Sequence, residues 1–67
     1  MGNYEIVVEG HLNKKRYWMF EEMEISLLSN GRTRMCGGVD QSALHAILTR
    51  IRDMGLILVS VKKKEEK

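Results

Sequence analysis

The stretch Asp40–Gly55, DQSALHAILTRIRDMG, is a helix whose sequence specifies both of its ends. Asp40 supplies a carboxylate for the N–H groups left unbonded in a first turn. Leu44, Ile47, Leu48, Ile51 and Met54 recur at helical spacing and form one apolar stripe. Gly55 stands where a left-handed residue closes a helix, and Arg50 and Arg52 put cations in the last turn, where the helix dipole favours them. A helix with one apolar stripe must lay it on a second layer. The surrounding sequence is strand-forming, so that layer is a sheet and the fold class is α+β.

Upstream, Tyr4, Ile6 and Val8 alternate with Glu5, Val7 and Glu9, the period of a half-buried strand. Gly10 ends that strand or marks a bulge. Met23, Ile25 and Leu27 alternate with Glu22, Glu24 and Ser26 in a second strand. Asn30-Gly31 predicts a type I′ hairpin turn, with positive φ at both residues, leading into a third strand, RTRMCGGV. The glycines at its end let the chain leave the sheet for the helix. LILVSV, after Gly55, is apolar on both faces and predicts a central or doubly covered strand. The segment HLNKKRYWMF admits two readings. Either the first strand runs to Leu12, turns at residues 13–15 and returns as a long strand, or Lys15–Phe20 form a short helical turn. Tyr17, Trp18 and Phe20 favour strands, and the hairpin is preferred.

The order is then β-β-β-α-β. A meander makes the first and third strands parallel, and a right-handed crossover through the helix returns the last strand parallel to both. Placing the last strand beside the first joins the two most apolar strands. The expectation is a four-stranded mixed sheet with one helix packed on one face, in a single domain over residues 1–61, followed by a disordered charged tail over 62–67. One helix cannot cover both faces. Val7, Leu28 and one set of the last strand (Leu56 and Leu58, or Ile57 and Val59) should therefore form an apolar open face, and such a face marks an interface.

Length adds to that expectation. A domain of 67 residues buries only about 60% of the surface of its unfolded chain, and domains this small commonly lean on a disulfide, a metal or a partner. Cys36 is the one cysteine, which excludes an internal disulfide. His11, Cys36 and His45 show no metal-ligand spacing, so neither metal nor cofactor is expected. What remains is a homodimer or a subunit of a larger assembly. The opening MGNYEIVVEG lacks the basic and apolar regions of an export signal, and GLILVSV is too short to cross a bilayer. With a free thiol, this leads us to expect a cytoplasmic protein with no membrane partner.

From Asp40 to Val61 the chain reads DQSALHAILTRIRDMGLILVSV. This resembles a family of very small, uncharacterised prokaryotic proteins with the pattern D-Q-[AS]-A-L-H-x-[IL]-L-x-[RK]-[IV]-R-D-[LM]-G-L-x-L-[IV]-S-V. Upstream the similarity is one of outline: Phe20, Met23 and Ile25 fit a W-F-D-G-L-x-I stretch of the family, with the tryptophan displaced to Trp18. The resemblance implies no activity, substrate or catalytic residue.

Three groups of residues carry chemistry. Gln41, His45 and Arg52 project in nearly the same direction from the helix, a titratable imidazole beside a guanidinium, as a small-anion site requires. The same residues also suit the border of a core, with apolar stems packed and polar ends in water. Lys14, Lys15, Arg16, Tyr17 and Trp18 put cations beside aromatics, the combination that binds single-stranded nucleic acid, and Arg32 and Arg34 would extend the patch. Against this, Glu21, Glu22 and Glu24 can pair with those arginines across a hairpin, the aromatics can tuck into the core, and a net charge of +2 is mild. Cys36 precedes a helix N-terminus, which activates thiols, but Asp40 already occupies that position, and a buried strand residue is expected. No acid, base and nucleophile stand at a defined spacing, so no catalytic residue is assigned and an enzyme is not expected. The leading expectation is a small interaction or regulatory module that self-associates, ahead of nucleic-acid binding and of anion binding.

Overall fold

The computed structural model describes residues 2–13, 15, 18, 20 and 23–64. Strands β1 (Gly2–Glu9), β2 (Glu24–Leu27) and β3 (Arg32–Val39), helix α1 (Gln41–Asp53) and strand β4 (Leu58–Lys64) follow in that order. They build one four-stranded sheet in the order β2-β3-β1-β4, with every neighbouring pair antiparallel. The last strand does lie beside the first, but the sheet is not mixed. The expected β1–β2 hairpin does not form: β1 pairs with β3, so β1 and β2 run parallel with β3 between them. Likewise β3 and β4 run parallel with β1 between them. These two interleaved crossovers are the split βαβ arrangement, with the first made by a connection in which Lys15, Trp18 and Phe20 adopt 3₁₀ turns.

Both crossovers cover the same face. Ile6, Val8, Met35 and Val39 of the sheet, Leu44, Ile47 and Ile51 of α1, and Leu12, Phe20 and Met23 of the first connection form one buried cluster. Leu48 and Met54 of the predicted stripe pack at its margin. Phe20 is fully buried whereas Trp18 is 67% exposed. The aromatic segment therefore divides between core and solvent instead of tucking in whole.

Thr33 explains why the connection lies where it does. It is buried on the covered side of β3, and its hydroxyl donates to the Gly10 carbonyl at 2.7 Å while accepting the Leu12 N–H at 2.9 Å. Gly10, at φ +83°, turns the chain there into the left-handed region that favours glycine. Instead of returning along β1, the chain is thus clasped across β3, and Leu12 enters the core.

The helix forms as its sequence predicts. The Asp40 carboxylate accepts the Ala43 N–H at 2.8 Å. At the other end the Gly55 N–H donates to the Arg52 carbonyl and the Leu56 N–H to the Ile51 carbonyl, the paired bonds of a Schellman close. The β2–β3 turn differs from expectation. Gly31 has φ +84°, but among the described residues none other than glycine has positive φ, so Asn30-Gly31 is not a type I′ pair. The Gly31 N–H donates to the Leu28 carbonyl, and the Leu28 N–H donates to the Arg32 carbonyl. That is a type I turn followed by a left-handed glycine, the three-residue hairpin loop. The Asn30 side chain accepts the Arg32 N–H at 3.1 Å, a use of asparagine that needs no positive φ.

The open face of the sheet carries Val7, as expected, but is otherwise largely charged. Glu5 and Glu9 of β1 pair with Arg34 and Arg32 of β3, and Lys64 of β4 reaches Glu5. Cys36 lies on this face, half-buried between Glu5 and Glu24 in register, and is not the buried core residue expected. The apolar surplus sits at the β4 edge instead. Among the described residues β4 pairs only with β1; it continues to Lys64 beyond the expected end at Val61, and carries a bulge opposite Val7 and Val8. It is an edge strand, neither central nor doubly covered.

Thr33→Val keeps the shape of the side chain and removes the clasp, leaving a buried N–H and a C=O unpaired. We expect a loss of about 2 kcal/mol in urea unfolding and a Tm lowered by about 10 °C. Thr33→Ser, which retains the hydroxyl, should stay within about 1 kcal/mol of the parent. A Thr33→Val variant as stable as the parent contradicts the clasp.

Candidate functional site

The three residues of the helical seam are placed on the solvent side of α1. Gln41, His45 and Arg52 are all exposed, while Leu44, Ile47 and Ile51 face the sheet. Among the described residues no hydrogen bond or ion pair joins the three. Arg52 Nε stands 3.9 Å from Asp53 Oδ1, and the His45 carbonyl accepts the Thr49 hydroxyl at 2.9 Å. The helix therefore brings their directions together, but it provides no wall or lid around them.

The basic and aromatic group is split. Lys15 and Trp18 are exposed on the first connection, while Lys14, Arg16 and Tyr17 lie outside the described residues. Arg32 and Arg34 project from the opposite side of the sheet to the one this connection covers. There Arg32 Nε is 3.1 Å from Glu9 Oε1, and Arg34 Nη1 is 3.7 Å from Glu5 Oε2. Lys64 Nζ approaches the same Glu5 oxygen at 3.6 Å. Among the described residues the glutamates that engage the arginines are those of β1, because the register sets Glu24 opposite Cys36 and Ser26 opposite Arg34; Glu21 and Glu22 lie outside the described residues. Arg34 Nε is buried without a hydrogen-bond partner, so its guanidinium is the less satisfied of the two. The face is largely self-neutralised, a poor start for gripping phosphates.

The surface that stands out chemically is one that sequence reasoning placed elsewhere. Leu58, Val59 and Val61 of β4 are 45%, 38% and 37% exposed, and Ile57 just before the strand is 67% exposed. Val61 is paired with Ile6 and Leu58 with Val8, which places both on the helix side of the sheet. Yet α1 stands over the other strands and leaves this margin bare. The available signal was the lysine run directly after LILVSV, since lysine is a usual guard of sheet edges.

Among the described residues, no three or more His, Cys, Asp and Glu side chains gather as a metal site would require. Nor is any helix there long and apolar enough to cross a membrane. A family model described as a domain of unknown function (DUF8691) matches residues 3–62, and the chain belongs to that family. The match reaches well upstream of the Asp40–Val61 stretch. The chain matches no curated protein and no solved structure.

Among the described residues Glu5, whose side chain is only 15% exposed, serves two cations, whereas Glu9 serves one at a more exposed position. Glu5→Gln should cost about 1 kcal/mol in urea unfolding at low salt, and Glu9→Gln less than about 0.5 kcal/mol. Molar salt should shrink both differences. Equal effects of the two variants would contradict the sharing of Glu5.

Proposed function

We propose that the protein is a small interaction or regulatory module, without catalysis, that self-associates through the free edge of β4. The observation that carries this reading is the exposed apolar residues Leu58, Val59 and Val61 on an edge strand, with exposed Ile57 just before it. An edge strand presents unpaired backbone N–H and C=O groups to any strand that can lie beside it. Each apolar side chain covered there contributes about 25 cal/mol per Å². For a domain with so thin a core, a second copy supplies burial that its own chain cannot.

Sedimentation across the micromolar range tests the reading. We expect a monomer–dimer equilibrium in the parent, and a dissociation constant raised about tenfold or more in Val61→Lys, which places charge on the edge. Far-UV circular dichroism of that variant should be unchanged. A strict monomer at high micromolar concentration contradicts the proposal.

Trp18 favours a second reading. A tryptophan 67% exposed in the same connection as an exposed Lys15 offers a base-stacking platform beside a cation. Titration of its fluorescence with single-stranded oligonucleotide at low salt should then give quenching that fades as salt rises. Unchanged emission with both single- and double-stranded probes overturns this second reading.

A further inference from the structure

Asn30-Gly31 tips the β2–β3 hairpin, and neither self-association nor oligonucleotide binding makes use of it. We propose that Asn30 is a site of spontaneous deamidation in the folded chain, where its side-chain amide becomes an acid.

The reaction needs only the next amide nitrogen, water and base. Solvent hydroxide removes the Gly31 amide proton, and the nitrogen attacks Asn30 Cγ. The new C–N bond closes a cyclic imide, while the side-chain nitrogen takes a proton from water and leaves as ammonia. Water then opens the imide. Cleavage of the bond to Cγ leaves aspartate at position 30. Cleavage of the bond to the main-chain carbonyl leaves isoaspartate, with the backbone running through Cβ. Neither step oxidises or reduces any atom.

The loop assembles the parts. Asn30 Oδ1 accepts the Arg32 N–H at 3.1 Å. That bond closes a ring of atoms holding both Cγ and the Gly31 nitrogen, so the electrophile is folded back toward its nucleophile. The same N–H donates where negative charge develops on Oδ1 as nitrogen adds, which is the work of an oxyanion donor. Asn30 and Gly31 are both exposed, and nothing lies within 4 Å of where a Gly31 Cβ would stand. Base and water therefore have open access.

One bond opposes the reaction. The Gly31 N–H donates to the Leu28 carbonyl at 3.2 Å, the long end of the hydrogen-bond range. That oxygen also accepts from His11 Nε2 at the shorter distance of 2.9 Å. The hold on the Gly31 proton is the weaker of the two, so the fold slows the reaction without blocking it.

The chain carries its own comparison. Asn13 is exposed, and its Oδ1 accepts the Lys15 N–H at 3.0 Å, the same side-chain-to-backbone bond. It is followed by a lysine, which sets a side chain beside the attacking nitrogen where Gly31 has none. Asn3 lies within β1, which is paired on both sides. The two products of Asn30 also differ. Aspartate keeps the bond from the Arg32 N–H and adds charge to it. Isoaspartate inserts a backbone atom into the loop that joins Leu28 to Arg32. It should loosen β2, which has 4 residues and, among the described residues, only β3 beside it.

Incubation of the intact chain at neutral and mildly alkaline pH, with peptide mapping by mass spectrometry and isoaspartate labelling, tests the site. Asn30 should convert several-fold faster than Asn13 or Asn3, faster as pH rises, and several-fold faster again in urea. In urea, where folding no longer matters, Gly31→Ala should slow the conversion several-fold. Asn30→Asp should match the parent in urea unfolding, whereas the isolated isoaspartyl form should unfold at lower urea. Conversion of Asn13 or Asn3 ahead of Asn30, or an Asn30 that stays intact in the folded chain while converting in urea, overturns the proposal. A Gly31→Ala chain that converts at the parent's rate overturns the route through the Gly31 nitrogen. Equal rates with and without urea overturn the restraint by Leu28, and an isoaspartyl form as stable as the parent overturns the loosening of β2.

Discussion

A single buried hydroxyl determines how this sheet is strung. Thr33 holds the Gly10 carbonyl and the Leu12 N–H over β3, and so turns the first connection from a hairpin into a crossover. Leu12, Phe20 and Met23 are thereby delivered to the same core as the stripe of α1. The clasp and the burial of Leu12, Phe20 and Met23 together hold the segment over the sheet. The strand order β2-β3-β1-β4 follows from the two crossovers being interleaved. Every later feature depends on that order.

One consequence concerns the uncovered face. With both crossovers on one side, the other side meets water, and its residues are the alternating charges of β1, β3 and β4. Pairing β1 with both β3 and β4 brings Glu5 between Arg34 and Lys64. The charges satisfy one another instead of presenting a field to a polyanion. The second consequence is that β4 ends the sheet. Its apolar side chains, which in a central strand would be buried on both faces, stand half in solvent along an edge. Surplus hydrophobicity on this protein is therefore a matter of sheet order more than of composition.

The elements whose signals are local were legible in the sequence. Asp40 and Gly55 bound the helix through backbone bonds that involve only neighbouring residues, and Ile6 and Val8 face inward as their alternation requires. The first connection was not legible. Tyr17, Trp18 and Phe20 have strand propensity, but Phe20 is buried in a 3₁₀ turn by tertiary contacts that no window of sequence contains. The same holds for β4. An apolar run on both faces suits a central strand, and only its neighbours in the sheet decide that it is an edge. Asn30 misled for a different reason: its side chain serves the turn by accepting a backbone N–H, so its backbone has no need of positive φ. For the candidate site, Gln41, His45 and Arg52 are exposed on α1, which suits the reading that left their polar ends in water.

Strand order leaves β4 with one free edge, and our proposal is that a second copy occupies it. Concentration-dependent amide hydrogen exchange of the intact chain reads that edge directly. The account predicts that the β4 amides pointing away from β1 exchange freely in dilute solution and gain protection as concentration rises, while those of the far edge β2 do not change. Protection of the same β4 amides at every concentration, or protection that grows at β2 instead, would contradict it.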